Sequence, residues 1–193
     1  LGDVYKRQGE AALVERWDEG GLSFLATGQT CPRFGFARLL RPDTECMLGD
    51  RPWQVHAAPG HDPHSIILFD AASRTLISAD ALWEHGFGIA FPELAGEPSF
   101  GDMEATLDLI ESLEPLRVIP GHGATFDDVS KALSVARKRL DGLQRDPVKH
   151  ARHAIKVLMK FKLLEMQLVA LEEWRLWLHS TPYLAMIHAR FFG

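Results

Sequence analysis

The sequence predicts an α/β domain followed by a helical appendage. Short apolar segments of alternating pattern are interspersed with amphipathic stretches of helical period, which is typical of α/β folds. The 193 residues are 46% hydrophobic, which is enough for one sizeable core. Residues 1–129 carry 9 basic and 21 acidic residues, whereas residues 130–193 carry 12 and 5, so the net charge changes from −12 to +7. This reversal indicates two structural units.

The predicted elements follow from local patterns along the chain. Alternating or continuous apolar runs predict short strands over residues 22–26, 53–57, 65–69, 75–78 and 117–119. Apolar positions of helical period predict helices over residues 9–17, from Ser99 or Asp102 to Pro115, and over residues 129–143, 148–165, 167–179 and 183–190. Residues 28–43 are expected to be irregular because prolines and glycines interrupt them, and residues 87–97 are expected to form a loop.

The first eight residues show no continuity with the rest and resemble a translated sequencing adapter, so we expect residues 1–8 to be a non-native scar. The expected domains are then residues 9–145 and a helical tail over residues 146–193. Two cysteines, Cys31 and Cys46, are too few for a disulfide framework, which favours a cytoplasmic location. No apolar run approaches the roughly 18 residues that span a bilayer, so no membrane partner is expected.

Three segments share one design that is suited to metal binding. Ala-Pro-Gly-His61, Ser-Ala-Asp80 and Pro-Gly-His122-Gly each place an imidazole or a carboxylate just beyond a predicted strand. Loops at strand ends can bring such residues to one cleft, and neutral imidazole and carboxylate are ligands of zinc and related ions. Taken singly, a Gly-His pair is more often a surface loop and an Asp after a strand is more often a turn former. Their order and common context favour a metal site.

These three segments resemble the third, fourth and fifth metal motifs of the metallo-β-lactamase superfamily, over about residues 9–145. The resemblance implies a four-layer αβ/βα sandwich, of which this chain would form the C-terminal half. It implies that His61 binds one metal ion, that Asp80 bridges two ions, and that His122 binds the other. Two divalent ions, with zinc preferred over iron or manganese, would then hold a hydroxide that attacks a small ester, thioester or lactone-like substrate.

One departure from the family pattern matters. The superfamily motif His-X-His-X-Asp-His does not occur anywhere in the 193 residues. In relatives it precedes a small-residue helix, and Gly-Glu-Ala-Ala at residues 9–12 looks like the start of that helix. We therefore expect the motif to have been lost with an upstream half, and we expect this chain alone to be inactive and to bind zinc weakly at best. The sequence identifies no catalytic residue other than the metal ligands.

Two further histidines have alternative interpretations. His64 could contact the substrate or support a metal ligand, although many relatives have another histidine where this chain has Ser65. His85 could border the same pocket, but a surface-loop histidine is the preferred interpretation.

The C-terminal tail combines a basic face with apolar positions, which are of helical period over residues 148–161. We favour a solvated face on a packed helix. We expect residues 146–193 to form a winged-helix-like tail, similar to one that some RNA-cleaving relatives carry after this domain. The alternative to the solvated face is that the basic residues of this tail contact nucleic-acid phosphates. A metal-dependent nuclease is therefore the second hypothesis and a non-catalytic binding module the third. A small-molecule substrate is preferred to nucleic acid, and the sequence leaves the oligomeric state open.

Overall fold

The computed structural model describes residues 10–193 and the backbone of residues 5–7. The strands are β1 (Tyr5–Arg7), β2 (Arg38–Leu40), β3 (Thr44–Leu48), β4 (Arg51–Ala57), β5 (Ile66–Asp70), β6 (Thr75–Ala79) and β7 (Arg117–Pro120). The helices are α1 (Ala11–Arg16), α2 (Phe24–Thr27), α3 (Phe91–Ala95), α4 (Phe100–Leu113), α5 (Val129–Arg145), α6 (Pro147–Met166), α7 (Leu171–Ser180) and α8 (Pro182–Phe191). The α/β class is confirmed, while the expected scar over residues 1–8 lies mostly outside the described residues.

The chain divides into two compact units, one of residues 1–9 and 36–144 and the other of residues 10–35 and 145–193. We expected residues 9–145 to form one domain, but residues 10–35 group with the C-terminal helices instead. The reason is long-range hydrogen bonding to the Gly28 carbonyl, which accepts from Lys162 Nζ at 2.9 Å and from Trp177 Nε1 at 3.3 Å. No local pattern in the sequence predicts such contacts.

The first unit is built on a five-stranded sheet with the order β3-β4-β5-β6-β7. Its neighbouring strands are antiparallel except for β6 and β7, which run parallel because α4 crosses over between them. A separate parallel pair is formed by β1 and β2. Strand β2 lies in the stretch that we expected to be irregular, and β3 was not predicted. Both strands are short and neither contains a buried residue, so they lack a buried alternating face.

A single core cluster joins the sheet to α4 and α5. The sheet contributes apolar side chains from β5, β6 and β7, and each helix contributes its inward face, as predicted from the helical period. The most deeply buried members of this cluster include Ile67, Leu76, Leu107, Ile110, Val118 and Ala136. This packing fixes the strand ends from which the candidate site is built.

Two local predictions are wrong. Residues 22–26 do not form a strand, because α2 begins at Phe24. The loop expected over residues 87–97 contains α3, which begins next to Pro92, and proline is well tolerated in a first helical turn. The Glu93 carboxylate then accepts hydrogen bonds from the backbone N–H groups of Ser99 and Phe100 at 2.6 and 2.8 Å. Ser99 is the N-cap of α4, but this glutamate supplies the acceptor in place of the serine side chain.

The second unit consists of α1, α2, α6, α7 and α8. Helix α6 begins at Pro147, and the Asp146 side chain caps it by accepting a hydrogen bond from the backbone N–H of Lys149 at 2.9 Å. Residues 145–193 are all described and contain no strand, so the winged-helix-like form of this tail is not confirmed. Across the described part of the chain, none of the helices combines the length and apolarity needed to cross a membrane.

Candidate metal centre

The ends of β4, β6 and β7 lie at the same edge of the sheet. Residue Ala57 at the end of β4 is paired with Ile66, and Ala79 at the end of β6 is paired with Pro120 at the end of β7. The loops that follow these three strands therefore start side by side. They carry the three candidate ligands that the sequence singled out.

The structure brings His61, Asp80 and His122 together around the aspartate. His61 Nε2 lies 3.4 Å from Asp80 Oδ2, and His122 Nε2 lies 3.6 Å from Asp80 Oδ1. Each imidazole thus faces a different oxygen of one carboxylate. This is the arrangement expected when an aspartate is shared between two neighbouring cation positions.

The spacing of these atoms is compatible with metal ligation. Two donors that are each about 2.1 Å from one zinc ion, at a tetrahedral angle, lie about 3.4 Å apart. Within residues 10–193, however, no group of three or more His, Cys, Asp or Glu side chains is arranged to hold a metal ion. The three residues therefore form two side-chain pairs that share Asp80, and neither pair by itself is a complete site for an ion.

His61 is oriented by a hydrogen bond on its other ring nitrogen. The Nδ1 atom donates to the Ile89 carbonyl oxygen at 2.6 Å, which leaves Nε2 directed at Asp80. A backbone carbonyl in this position selects the tautomer in which Nε2 has a free lone pair. The side chain is 21% exposed, so one face remains accessible.

The loop over residues 80–89 supports both His61 and Asp80. Its ends are joined by a hydrogen bond from the Gly88 N–H to the Asp80 carbonyl at 2.8 Å, next to the Ile89 carbonyl that orients His61. Phe87 anchors the loop in the core, and the Arg139 guanidinium of α5 lies 5.1 Å from the centre of its ring. Burial against this loop lowers the pKa of Arg139.

Two glycines allow the ligand loops to approach one another closely. A Cβ atom at Gly88 would lie 2.6 Å from His61 Nδ1 and 2.9 Å from Asp80 Cβ. A Cβ atom at Gly121 would lie 2.7 Å from Asp80 Oδ1. Distances below 3.0 Å are not tolerated without a shift of the neighbours, so both positions require glycine for the observed packing.

The end of β6 is irregular where it delivers the aspartate. The pairing of β6 with β7 shifts register between Ile77 and Ala79, and Ala79 has a φ of 46°, in the left-handed region. A bulge of this kind turns the chain away from the regular alternation of the strand. Asp80 consequently projects from the edge of the sheet toward the two histidines.

The loop that carries His61 is also fixed by α4. Thr106 Oγ1 donates a hydrogen bond to the Pro59 carbonyl at 2.9 Å, and a Cβ atom at Gly60 would overlap Met103. The loop that carries His122 is more open, since the His122 side chain is 54% exposed. The two histidines are therefore supported to different degrees.

Trp83 is a further residue of the site that the sequence did not indicate. Its Nε1 donates a hydrogen bond that is shared between Asp80 Oδ1 at 3.1 Å and the Ala79 carbonyl oxygen at 3.2 Å. Its ring meets the His122 ring edge-on, with the centroids 5.2 Å apart and an interplanar angle of 81°. A tryptophan three residues after an aspartate has no pattern that predicts this contact.

The two remaining candidates lie at the surface of their loops. His64 is exposed, and its backbone N–H donates to Asp62 Oδ1 at 2.7 Å, which closes a local turn. The His85 side chain is 81% exposed and its Nε2 lies 3.7 Å from Glu84 Oε2. These environments favour the surface interpretation for His85, and a substrate contact by His64 stays a prediction.

Comparison with protein-family models matches residues 6–122 to the metallo-beta-lactamase superfamily. The match begins within the segment that we expected to be foreign and ends at His122. It includes all three candidate ligands and covers more than half of the chain. Comparison with curated proteins finds no match.

Several solved structures have a similar fold. The metallo-beta-lactamase family protein TTHA1429 from Thermus thermophilus is 16% identical, with a TM-score of 0.55 over 78% of this chain and 55% of that protein. A beta-lactamase domain protein from Burkholderia ambifaria is 22% identical, with a TM-score of 0.57 over 78% of this chain and 47% of that protein. TTHA1623, solved in a di-iron-bound form, is 23% identical, with a TM-score of 0.52 over 69% of this chain and 63% of that protein.

At these sequence identities, the similarity to these structures shows a shared fold and nothing about function. The chain spans between 47% and 63% of the length of the three neighbours.

Proposed function

Because this chain belongs to the metallo-beta-lactamase superfamily, we propose that it is part of a metal-dependent hydrolase that acts on a small ester, thioester or lactone-like substrate. The observation that carries the proposal is the placement of His61 and His122 on opposite oxygens of Asp80, at 3.4 and 3.6 Å. His61 Nδ1 donates to the Ile89 carbonyl, which leaves a lone pair on Nε2 next to Asp80, and a lone pair beside a carboxylate oxygen is suited to a shared cation.

We assign the ligands to two cation positions. His61 and Asp80 Oδ2 would contribute to one position, and His122 and Asp80 Oδ1 to the other. When bound, divalent ions lower the pKa of water and polarise a carbonyl oxygen, which is the chemistry that ester and thioester hydrolysis needs. Zinc is the proposed metal. Iron is the alternative, since one neighbour of similar fold was solved in a di-iron-bound form.

The residues of this chain prepare the site rather than complete it. The Ile89 carbonyl holds the His61 tautomer, and the α4 hydroxyl of Thr106 holds the loop that precedes His61. Each cation position needs further ligands, which we propose come from a His-X-His-X-Asp-His segment in the first half of the whole protein. The cytoplasmic location also remains a proposal, supported by the free thiols of Cys31 and Cys46.

A nuclease with the same metal chemistry is the second candidate. Helix α6 has an exposed basic face formed by Lys149, Arg152, Lys156 and Lys160, which could attract phosphates. We favour the small substrate because this basic face belongs to the second structural unit, whereas the candidate ligands belong to the first. A non-catalytic binding module is the third candidate.

The test compares the 193-residue chain with the protein extended by its upstream coding sequence. Both are assayed, loaded with zinc, on a generic thioester and on labelled RNA, at low and high salt. We expect the extended protein to hydrolyse the thioester with little salt dependence, and the short chain to be inactive. In the extended protein His61→Ala and His122→Ala should each lower thioester turnover by more than about 100-fold, because each removes a metal ligand.

The matched control is His179→Ala, which removes an exposed histidine from α7 and should leave turnover unchanged. Salt-sensitive cleavage of RNA without thioester turnover would support the nuclease. Absence of both activities in the extended protein, despite bound zinc, would leave the binding module as the surviving candidate.

A further inference from the structure

Trp83 contacts one side of the candidate metal centre through both its polar and its aromatic groups. The indole N–H donates a shared hydrogen bond to Asp80 Oδ1, at 3.1 Å from Nε1, and to the Ala79 carbonyl oxygen, at 3.2 Å. The ring packs edge-on against His122 at 5.2 Å between centroids. One side chain thus reaches two of the three candidate ligands.

The position of Trp83 is itself fixed by its loop. Its backbone N–H donates to the Gly86 carbonyl at 2.6 Å, which closes a tight turn. The neighbouring Leu82 is fully buried, and its carbonyl accepts a hydrogen bond from the buried Ser78 hydroxyl at 2.6 Å. The backbone around Trp83 is therefore held, which fixes the point from which the indole reaches Asp80.

The hydrogen bond acts on the rotation of the carboxylate. The Asp80 carboxylate can rotate about its Cβ–Cγ bond. Its two oxygens face the two imidazoles over only part of that range of torsion angles. An indole N–H on Oδ1 removes that freedom, and the edge of the ring restricts the rotation of the more exposed His122. Partners of metal ligands that act in this way commonly change metal affinity by about 10- to 100-fold.

We propose that Trp83 is a positioning residue of the metal centre, which holds the Asp80 carboxylate so that each oxygen faces one histidine. The proposal rests on the proposed function, since it assigns Trp83 a role in preparing metal ligands. It is distinct from ligation, because an indole N–H donates a hydrogen bond and offers no lone pair to a cation.

The hydrogen bond is tested first, without metal. The chain contains five tryptophans, and comparison with Trp83→Phe assigns the Trp83 indole N–H in a nitrogen–proton correlation spectrum. Asp80→Ala should shift the Trp83 indole signal upfield and leave the other tryptophan signals in place. Asp50→Ala, which removes an exposed aspartate from the β3–β4 turn, is the control and should shift none of them.

The positioning role is tested by titration with zinc or cobalt. Trp83→Phe keeps an aromatic ring and loses only the N–H donor, and it should weaken metal binding by about 10- to 100-fold. Trp174→Phe, the same change on α7, should leave the affinity unchanged. The free energy of unfolding of the metal-free protein is measured for both variants. In the unchanged chain, the Trp83 indole signal should also move when zinc is added.

The outcomes separate the two proposals. The positioning role is overturned if the Trp83 indole signal does not shift in Asp80→Ala. It is also overturned if Trp83→Phe binds zinc as tightly as the unchanged chain. Either result leaves the proposed function standing. A Trp83→Phe variant that is destabilised without a change in affinity means a merely structural role and also overturns the positioning role. If neither the unchanged chain nor the protein extended by its upstream segment binds zinc at any concentration, the metal centre itself is wrong, and the role of Trp83 falls with it.

Discussion

Two aspartates at opposite ends of the same pair of strands differ in what surrounds them. Asp70 ends β5 at the hairpin, where its side chain is 2% exposed and accepts hydrogen bonds from Arg51 Nη1 at 2.9 Å and from Ser73 Oγ at 2.6 Å. Asp80 follows β6 at the other end, is 29% exposed and faces two imidazole nitrogens. Both residues lie at a strand end, Asp70 as the last residue of β5 and Asp80 directly after β6.

The difference lies in the donors around each carboxylate. Hydrogen bonds from the Ser73 hydroxyl and then from Arg51 lower the pKa of Asp70 from its usual 3.8 to about 2, and backbone N–H groups of Ala72 and Ser73 add to this. Asp70 therefore stabilises the hairpin and has no lone pair left for a ligand. Asp80 has the indole donor of Trp83 but keeps an accessible oxygen opposite each histidine, so it remains available to cations.

The largest effects should come from exchanging each carboxylate for an amide. Asp80→Asn should weaken zinc or cobalt binding by more than about 100-fold with little change in unfolding free energy, because it removes the shared anionic ligand. Asp70→Asn should do the opposite and lower stability near neutral pH without altering metal affinity. Urea denaturation and cobalt titration of both variants measure the two quantities.

The pH dependence distinguishes the two aspartates further. Since the pKa of Asp70 is depressed in the folded protein, its contribution is present above about pH 4 and is lost as the pH falls through about 2. This acid-dependent part of the unfolding free energy should disappear in Asp70→Asn and persist in Asp80→Asn. Equal acid sensitivity in the two variants would contradict the comparison.

A smaller effect is expected at Gly88. In Gly88→Ala the added methyl group meets His61 Nδ1 and Asp80 Cβ, so we expect a loss of about 1–3 kcal/mol in unfolding free energy, together with weaker metal binding. Gly142→Ala is the control, because a Cβ at this position on α5 meets nothing within 4 Å. That control should gain about 0.5–1 kcal/mol from helix propensity. A neutral Gly88→Ala would mean that the ligand loops are looser than described.

The smallest effect should be that of Thr106→Val, which removes the hydroxyl that donates to the Pro59 carbonyl. We expect a loss of about 0.5–1.5 kcal/mol in unfolding free energy, and a modest loss of metal affinity through the loop of His61. Ser112→Ala on the exposed face of the same helix is the matched control, since its hydroxyl bonds only within α4. If metal affinity is insensitive to Thr106→Val, the helix does not support the site.

The elements of the first unit that were predicted correctly have a buried face. Strands β5, β6 and β7 and helices α4 and α5 place apolar residues at a regular period, and all of them contribute to the core. Strand β3 is mostly exposed and has no such pattern. The grouping of residues 10–35 with the C-terminal helices depends on hydrogen bonds to the Gly28 carbonyl from residues more than 130 positions away. No local pattern in the sequence contains that information.

In the candidate site, too, some residues could be predicted from the sequence and others could not. His61, Asp80 and His122 could be singled out because each lies in a recognisable motif after a strand, and their metal-binding role stays a prediction. The groups that orient them could not be foreseen. The Ile89 carbonyl is a backbone atom that every residue possesses, and Trp83 depends on the fold of a loop. Only the packed structure shows which donor meets which acceptor.

The bulge at the end of β6 makes the direction of the Asp80 side chain independent of the packing of the strand, whereas in a regular strand the alternation of side chains would set both. Residues Leu76 and Ser78 face inward by alternation, and the register shift before Ala79 then aims the carboxylate independently of that alternation. Replacement of Leu76 should consequently repack the interior without rotating Asp80, whereas Ser78 also holds the loop of Trp83 through its hydrogen bond to the Leu82 carbonyl. An engineer could vary the interior of this sheet and the reactivity at its edge as two separate libraries.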